Sequence, residues 1–376
     1  MTASLARTPL YDRHVALGGR MVDFGGWELP QQYTSIRGEH IAVRKVAGLF
    51  DISHMGRVVV RGPGAAGFVQ GLVTNDVSRL EPHRALYALM CREDGGVLDD
   101  LVIYRSADGP DDFLIVVNAS NRLKDLEWMR AHAPSGTQIE DRSQELSLLA
   151  FQGPRAQELL PSTAESGLES IPYFGFRDGE VGGTKAVISR TGYTGEDGFE
   201  LFVDSQKVGA VWDAILEHAT PHGALPAGLG ARDATRLEAA LRLYGNDMDE
   251  TVNPYEAGLG WTVKLSKGEF IGRRALAQVK EEGPKRTLVG LRTAPGDIAR
   301  HGAAVFSQDA KVGAVTSGTH SFFLGHPIAL AMVEVASLRV GEAARVDVRG
   351  REASAEVVQL PFYRGSARSA AAPVKS

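Results

Sequence analysis

A chain of 376 residues exceeds the size at which a single hydrophobic core keeps growing, so we expect two or three domains. Its composition, 43% hydrophobic, 23% charged and 7% aromatic, is typical of a soluble globular protein, and its net charge of -5 argues against general nucleic-acid binding. Cys91 is the one cysteine of the sequence, which excludes an internal disulfide and any metal site built from several thiolates.

The first 141 residues mix predicted helices and strands. A short helix begins near Pro9 and ends at Gly18 and Gly19, and a second covers residues 35–47. Strands are then predicted at 57–61, 86–90, 97–104 and 113–117, and helices at 65–72 and 122–132. Residues 57–141 are therefore expected to form an α+β domain 2, inserted in a discontinuous α+β domain 1 made of residues 1–56 and 142–250.

The rest of the chain first completes domain 1 and then becomes rich in strands. Strands are predicted at 146–152, 185–190 and 199–203, and helices at 208–219 and 231–243. After a connecting segment at 251–284, short strands with frequent glycines, such as 287–291, 329–334 and 343–348, predict a β domain 3 at 285–365. Residues 366–376 are expected to be a disordered tail. With no apolar signal segment in residues 1–20 and no run that could span a bilayer, we expect a cytoplasmic protein without a membrane partner.

The hairpin formed by the strands at 86–90 and 97–104 carries two acids within an apolar run. Asp99 and Asp100 are costly there unless each carboxylate has a partner. Side chains alternate across a strand, so Asp99 shares a face with Leu101, whereas Asp100 shares the opposite face with Leu98. The alternative interpretation is that one acid caps local backbone amides and the other lies on a solvated edge.

The register of this hairpin decides what Asp100 faces. A hairpin loop with an even number of residues places odd-numbered residues of the first strand, including Tyr87 and Leu89, on the face of Asp100. A bulge in the glycine-containing turn would reverse that parity. With the even loop, Tyr87 and Asp100 face one cavity.

Three further residues have two interpretations each. Arg232 and Arg236 share one face near the start of a predicted helix, where backbone N–H groups favour an anion, but they could instead pair with Asp233 or Glu238. Glu200 lies within an apolar strand, where its carboxylate could accept two parallel N–H bonds from an aminopyrimidine edge or could face water.

Six motifs occur along the chain in this order: 14–27 (HVALGGRMVDFGGW), 50–55 (FDISHM), 95–100 (GGVLDD), 189–198 (SRTGYTGEDG), 228–233 (GLGARD) and 361–365 (PFYRG). Each is weak alone, but the set is specific and covers essentially the whole chain apart from the tail. Together they closely resemble the T-protein family of the glycine cleavage system, the tetrahydrofolate-dependent aminomethyltransferases. One departure lies at 321–326, which read SFFLGH where the family usually has SPTLGK.

The resemblance implies a fold and a set of site residues. The fold is α+β, a three-domain cloverleaf of mainly antiparallel sheets with flanking helices, a small C-terminal β-barrel or jelly-roll-like domain and a central folate channel. The catalytic aspartate falls on Asp100, and no metal is expected. Glu200 would hold the pterin edge, and Arg232 and Arg364 would face the glutamyl carboxylates of the folate. All folate-lining positions implied by the motifs are Tyr87, Asn118, Tyr193, Glu200, Arg232 and Arg364.

The resemblance also implies a reaction and a partner. The methylene of an aminomethyl group, carried on the lipoyl-lysine of H protein, is transferred to tetrahydrofolate, giving 5,10-methylenetetrahydrofolate, ammonia and dihydrolipoyl H protein. Two rival functions remain open: a related tetrahydrofolate-dependent S- or O-demethylase, and a folate-binding assembly protein without catalysis. Neither nucleic acid nor a membrane is expected among the partners.

Overall fold

The computed structural model describes residues 4–106, 109, 111–163 and 167–368. No helix within these ranges is long and apolar enough to cross a membrane. The elements up to residue 141 are α1 Tyr11–Ala16, β1 Met21–Phe24, β2 Trp27–Pro30, α2 Ile36–Lys45, β3 Gly48–Asp51, β4 Gly56–Arg61, α3 Ala65–Leu72, β5 Arg84–Cys91, β6 Val97–Arg105, β7 Asp112–Val117, α4 Arg122–His132 and β8 Gln138–Asp141.

The remaining elements include a run of short strands at the C-terminal end. In chain order they are β9 Leu146–Gln152, α5 Ala156–Leu159, β10 Ser162–Thr163, β11 Phe176–Val181, β12 Thr184–Ser189, β13 Gly198–Asp204, α6 Val208–Ala219, β14 Leu225–Pro226, α7 Leu229–Glu238, α8 Arg273–Glu282, β15 Arg286–Thr293, β16 Ala304–Ser307, β17 Ala310–Ser321, β18 His326–Glu334, β19 Ala343–Val348 and β20 Arg351–Val358.

These strands build sheets that are antiparallel except where β14 joins β3. A five-stranded sheet has the order β5-β6-β7-β4-β8, and a seven-stranded sheet has the order β10-β11-β12-β13-β9-β3-β14. Strands β15 to β20 close into a six-stranded barrel. The predicted α+β class with a C-terminal β-barrel is confirmed. The seven-stranded sheet takes β3 from before the five-stranded sheet and the other strands from after it.

Each sheet has its own apolar core, covered by helices whose buried residues recur at helical spacing. Helix α6 buries Val208, Val211, Trp212 and Ile215 against the seven-stranded sheet. Helix α3 packs on the five-stranded sheet in the same way, through Phe68 and its neighbours. A further apolar cluster joins the two sheets, with Phe50 and Phe202 of the seven-stranded sheet and Tyr104 of the five-stranded sheet among its members.

The β5–β6 hairpin has the predicted register and one bulge. Leu89 lies opposite Asp100, the register predicted for an even loop, but the turn between Cys91 and Val97 has five residues and the bulge supplies the change of parity. The register shifts between Met90 and Cys91, so that Leu98 is an extra residue on β6. Leu98 therefore packs in the same core as Leu101, and the prediction that it shares a face with Asp100 is wrong.

Helix α7 is shorter than predicted. It ends at Glu238 rather than at residue 243, and Ala240 has a φ of 53°, outside the helical range. The chain turns back here because Asp247 pairs with Arg236 and also accepts a hydrogen bond from the backbone N–H of Leu243 at 2.9 Å. A buried ion pair thus overrides the helical pattern of the apolar residues.

Two further observations concern the connecting segment and the predicted tail. The connecting segment contains helix α8, and residues 366–368 form a 3₁₀ turn instead of the start of a tail. Ser366 donates to Glu196 Oε2 at 2.7 Å, and Ala367 is buried. The rest of the predicted tail, residues 369–376, lies outside the described residues.

Candidate active site

Asp100 lies on β6 where the side chains of two neighbouring strands converge on it. Tyr87, on β5, donates its hydroxyl proton to Asp100 Oδ2 at 3.0 Å. Asn118, directly after β7, donates from Nδ2 to Asp100 Oδ1 at 2.8 Å. Both carboxylate oxygens are therefore held in place, and the predicted contact between Tyr87 and Asp100 is present.

The surroundings of Asp100 favour its protonated form more than water does. Burial raises the pKa of Asp100 to about 7, and the negative charge of Asp99 acts in the same direction. The hydrogen bonds from Tyr87 and Asn118 oppose this shift without cancelling it. A carboxyl group with such a pKa can accept or release a proton near neutral pH.

Asp99 lies behind Asp100 and is 0% exposed. It accepts hydrogen bonds from the backbone N–H of Asn118 at 3.0 Å, from Asn118 Nδ2 at 2.9 Å and from Asn121 Nδ2 at 2.6 Å. Because the amide of Asn118 reaches both acids, it connects Asp99 to Asp100 although their side chains leave β6 on opposite faces. The alternative interpretation, in which one acid caps local backbone amides and the other lies on a solvated edge, does not describe this pair.

Glu200, on β13, has one oxygen committed to the protein. Its Oε2 accepts from the hydroxyls of Thr191 at 2.5 Å and Tyr104 at 3.3 Å. Its Oε1 makes no hydrogen bond with any residue of the described ranges. Burial raises the pKa of Glu200 above its usual value, which is the mark of a carboxylate withdrawn from water.

Strand β6 connects the region around Glu200 with the region around Asp100. Tyr104 follows Asp100 by four residues, so their side chains leave the same face of β6 about 13 Å apart along the strand. Glu200 is thus bonded to one end of this face while Asp100 lies at the other. An elongated ligand could contact both carboxylates at once.

Arg232 and Tyr193 form another side of the candidate site. The Arg232 guanidinium carbon lies 4.7 Å from the centroid of the Tyr193 ring, close enough for a cation–π interaction. Within the described part of the chain no carboxylate or carbonyl accepts a hydrogen bond from the Arg232 side chain. Tyr193 donates its hydroxyl to the backbone carbonyl of Arg242. The N–H donors of Arg232 are therefore not committed to these residues.

Arg236, by contrast, is part of the framework. Its guanidinium is 2% exposed and contacts Asp233 at 2.7 Å, Asp247 at 2.6 Å and the Ser317 hydroxyl at 2.7 Å. Ser317 belongs to β17, so Arg236 ties α7 to the barrel. Of the two arginines, only Arg232 fits the anion-binding interpretation. Glu238 pairs instead with Arg44 at 2.6 Å.

The two arginines should differ when each is replaced by alanine. Arg236→Ala should lower the free energy of unfolding by about 3–5 kcal/mol, because the buried Asp247 would lose its counter-charge and keep only neutral donors. Arg232→Ala leaves no buried carboxylate behind, so we expect a much smaller loss. Chemical denaturation followed by circular dichroism measures both. Equal losses would contradict the division of roles.

Arg364 is an exposed member of the predicted site. Within the described residues its side chain has no hydrogen bond, ion pair or ring contact with the other six predicted positions. The backbone beside it is fixed, since Tyr363 donates to the carbonyl of Glu238 at 2.8 Å. A Cβ added at Gly365 would lie 2.3 Å from the carbonyl oxygen of Gly195, so the chain passes directly against the loop of Tyr193.

Trp261 is a residue of the site that sequence reasoning missed. Its ring stacks on Tyr87 with centroids 5.9 Å apart, and 59% of the residue is exposed. Such an exposed ring beside the partner of Asp100 offers a flat apolar surface at the edge of the site. The available signal was a tryptophan in a short Gly-Leu-Gly-Trp run, within the segment predicted only to connect two domains.

The unusual segment at 321–326 connects β17 to β18 and packs on the framework. Ser321 donates its hydroxyl to Glu238 and accepts from the backbone N–H of Leu324 at 2.8 Å. Phe323 meets the ring of Tyr363 edge to face at 5.1 Å. Phe323, where the family pattern has threonine, thus packs against the segment that carries Arg364.

Comparisons with known proteins agree on one family. A family model described as the GCVT N-terminal domain matches residues 10–267, and one described as the glycine cleavage T-protein C-terminal barrel domain matches residues 286–364. An aminomethyltransferase of Geobacillus kaustophilus is 48% identical over 362 residues, covering 96% of this chain and 99% of that protein. An aminomethyltransferase of Thermotoga maritima is 48% identical over 366 residues, with coverage of 97% and 99%.

A solved structure supports the same assignment. The crystal structure of glycine cleavage system aminomethyltransferase T from Bartonella henselae matches with a TM-score of 0.88 and 33% identity, over 96% of this chain and 99% of that one. Sequence and fold therefore agree over almost the full length of both proteins. The chain belongs to the glycine cleavage T-protein family.

Proposed function

We propose that this protein is the aminomethyltransferase of the glycine cleavage system. It transfers the methylene of the aminomethyl group on the lipoyl arm of H protein to tetrahydrofolate, and it releases ammonia, 5,10-methylenetetrahydrofolate and dihydrolipoyl H protein. The observation that carries the proposal is Asp100, a carboxylate with both oxygens held and with a pKa near neutrality, in a chain whose close relatives are named aminomethyltransferases.

The side chains around Asp100 fit tetrahydrofolate. Glu200 Oε1 is an uncommitted acceptor on a half-buried residue, of the kind that a pterin edge with two N–H donors requires. Arg232 offers unused donors for a glutamyl carboxylate, and we assign the exposed Arg364 to the same anionic end. Tyr87, Tyr193 and Asn118 would line the space between these ends.

The chemistry divides between the folate and the protein. Tetrahydrofolate, when bound, supplies the nucleophilic nitrogen that takes up the one-carbon unit. Asp100 orients that amine, accepts its proton on a carboxylate oxygen and favours the positive charge that develops on the carbon. Tyr87 and Asn118 hold the carboxylate in one orientation throughout. The apolar ring of Trp261 at the edge of the site helps to exclude water, which would otherwise hydrolyse the activated carbon.

The proposal also retains three expectations from the sequence. H protein bearing a lipoyl group is the partner, and the protein acts in the cytoplasm. The division into domain 1 (1–56 and 142–250), domain 2 (57–141), a connecting segment and domain 3 (285–365) is kept as the working description. The sheet order supports it, since β4 to β8 form one sheet.

The direct test supplies tetrahydrofolate and H protein loaded with the aminomethyl group. Ammonia and 5,10-methylenetetrahydrofolate should form in equal amounts and only when tetrahydrofolate is present. Folate binding without either product would favour the S- or O-demethylase or the assembly protein, and methyl donors would then be screened.

The transfer rate should depend on pH through Asp100. Because its pKa is raised to about 7, the carboxyl is protonated below that pH and cannot accept a further proton. Transfer should therefore rise as the pH increases through about 7 and should fall about tenfold for each pH unit below it. Measuring kcat from pH 5.5 to 9 at saturating substrates tests this. A rate that is flat across pH 7 would contradict the role of Asp100 as base.

A further inference from the structure

Asp125 is a buried acid to which the proposed mechanism assigns no role. It lies in the first turn of α4 and is 0% exposed. Neither of its carboxyl oxygens accepts a hydrogen bond from a donor within the described residues. A buried ionised carboxylate without a donor is strongly disfavoured, so the group needs either a partner or a proton.

Its neighbour is Asp99. The two carboxyl groups lie within hydrogen-bonding reach of each other, a contact that is stable only if one of them carries a proton. The hydrogen bonds described above decide which one it is. Asp99 accepts three N–H bonds, from the backbone and side chain of Asn118 and from the side chain of Asn121, and these stabilise its ionised form. Asp125 accepts none, so the proton belongs on Asp125.

The other charged groups near Asp125 do not neutralise it. Lys124, next to it on α4, directs its ammonium group to the Leu98 carbonyl at 2.9 Å, the Tyr244 hydroxyl at 3.1 Å and Glu250 at 3.0 Å. Within the described residues, the other titratable groups that act on Asp125 include the acids Asp99 and Asp100 of β6 and the phenol of Tyr244. The start of α4 slightly favours an anion, but the Asp125 oxygens take no backbone N–H there.

We propose that Asp125 is held as a neutral carboxylic acid whose O–H donates to Asp99, and that it is a positioning residue for the chain Asp125–Asp99–Asn118–Asp100. Asp125 completes the set of donors around Asp99, which fixes the Asn118 amide, and that amide fixes Asp100 Oδ1. Burial, followed by the charge of Asp99, raises the pKa of Asp125 far above its usual value, in agreement with this geometry. The effect on catalysis rests on the proposed role of Asp100, whereas the proton on Asp125 does not.

Infrared spectroscopy of the full chain tests the proton directly. At about pH 8 ordinary Asp and Glu side chains are ionised, so a carbonyl band of a protonated carboxylic acid marks an unusual group. We expect this band in the wild-type protein, in Asp100→Asn and in the matched control Glu127→Gln, which changes an exposed acid on the same helix. Asp125→Asn should lose most of its intensity, because Asp100, with a pKa of about 7, is only about one-tenth protonated at this pH. Absence of the band from the wild-type protein would overturn the proposal, whether or not the protein is an aminomethyltransferase.

Kinetics test the positioning role. Asp125→Asn keeps a neutral N–H donor for Asp99, so it should retain transfer and the pH inflection of the wild type. Asp125→Ala removes the donor and should lower kcat about tenfold to a hundredfold with unchanged folate affinity. If Asp125 were ionised, its negative charge would raise the pKa of Asp100, and Asp125→Asn would lower the pH of the inflection by about one unit. Such a shift would contradict the proposal that Asp125 is neutral. If the alanine variant does not fold, Asp125→Asn and the infrared band decide the result.

Discussion

Asp100→Asn should reduce transfer of the one-carbon unit by about 10²–10⁴-fold while folate still binds, because the amide has nearly the same size as the carboxylate but cannot accept a proton. Its carbonyl oxygen can still accept the hydroxyl proton of Tyr87. Its amide nitrogen would face the side-chain N–H₂ of Asn118, so one orienting bond is lost as well. Ammonia and 5,10-methylenetetrahydrofolate are measured together, with the folate dissociation constant determined separately.

The matched control for this prediction lies in the same hairpin. Asp94→Asn changes a carboxylate whose side chain is 59% exposed and whose Oδ1 accepts from the backbone N–H of Gly96 at 3.1 Å. It should transfer at nearly the wild-type rate. Near-normal turnover in Asp100→Asn would remove Asp100 from the catalytic role, and a loss in both variants would indicate a damaged hairpin. The residual rate of Asp100→Asn should also lose its dependence on pH around 7.

Local sequence rules predicted the elements and the contact between Tyr87 and Asp100. Alternation along two strands fixes which side chains share a face once the register is known. The predicted register occurs because a five-residue turn is combined with a one-residue bulge, not because the loop is even. The prediction of the strand face on which Leu98 lies is wrong because the bulge that changes this face depends on how the turn packs. The Cβ of any residue replacing Gly96 would lie 2.0 Å from the carbonyl oxygen of Glu250, a contact that the hairpin sequence alone does not reveal.

The charged residues were harder to predict because their partners are distant in sequence. Arg236 has a local candidate, Asp233, but its fully buried partner Asp247 lies beyond a turn that the helical pattern did not indicate. Asp125 was hard to predict for the same reason. Its importance depends on Asp99, which lies on strand β6 rather than on helix α4, and on donors that are bonded to other groups. Trp261 was missed because its exposure and its stacking on Tyr87 are tertiary properties.

Glu200→Gln should weaken binding of tetrahydrofolate about tenfold to a hundredfold without a comparable loss of stability. A ligand donor bonded to a carboxylate contributes about 1.5–3 kcal/mol, and the glutamine replaces one carboxylate oxygen by an N–H₂ group. The glutamine carbonyl can keep the bonds from Thr191 and Tyr104, which leaves its N–H₂ group at the position of Oε1. Two donors would then face each other at the pterin edge.

Calorimetric titration with tetrahydrofolate measures this effect, and Glu180→Gln is the matched control. Glu180 lies on β11 of the same sheet, but its side chain is exposed and lies opposite Lys185, so its replacement should leave the affinity unchanged. An unchanged affinity in Glu200→Gln would mean that its carboxylate faces water and does not bind the pterin. Because Glu200 and Asp100 act at opposite ends of one strand face, Glu200→Gln should raise the dissociation constant, whereas Asp100→Asn should lower kcat. The separation of these two effects would show that binding and proton transfer depend on different carboxylates.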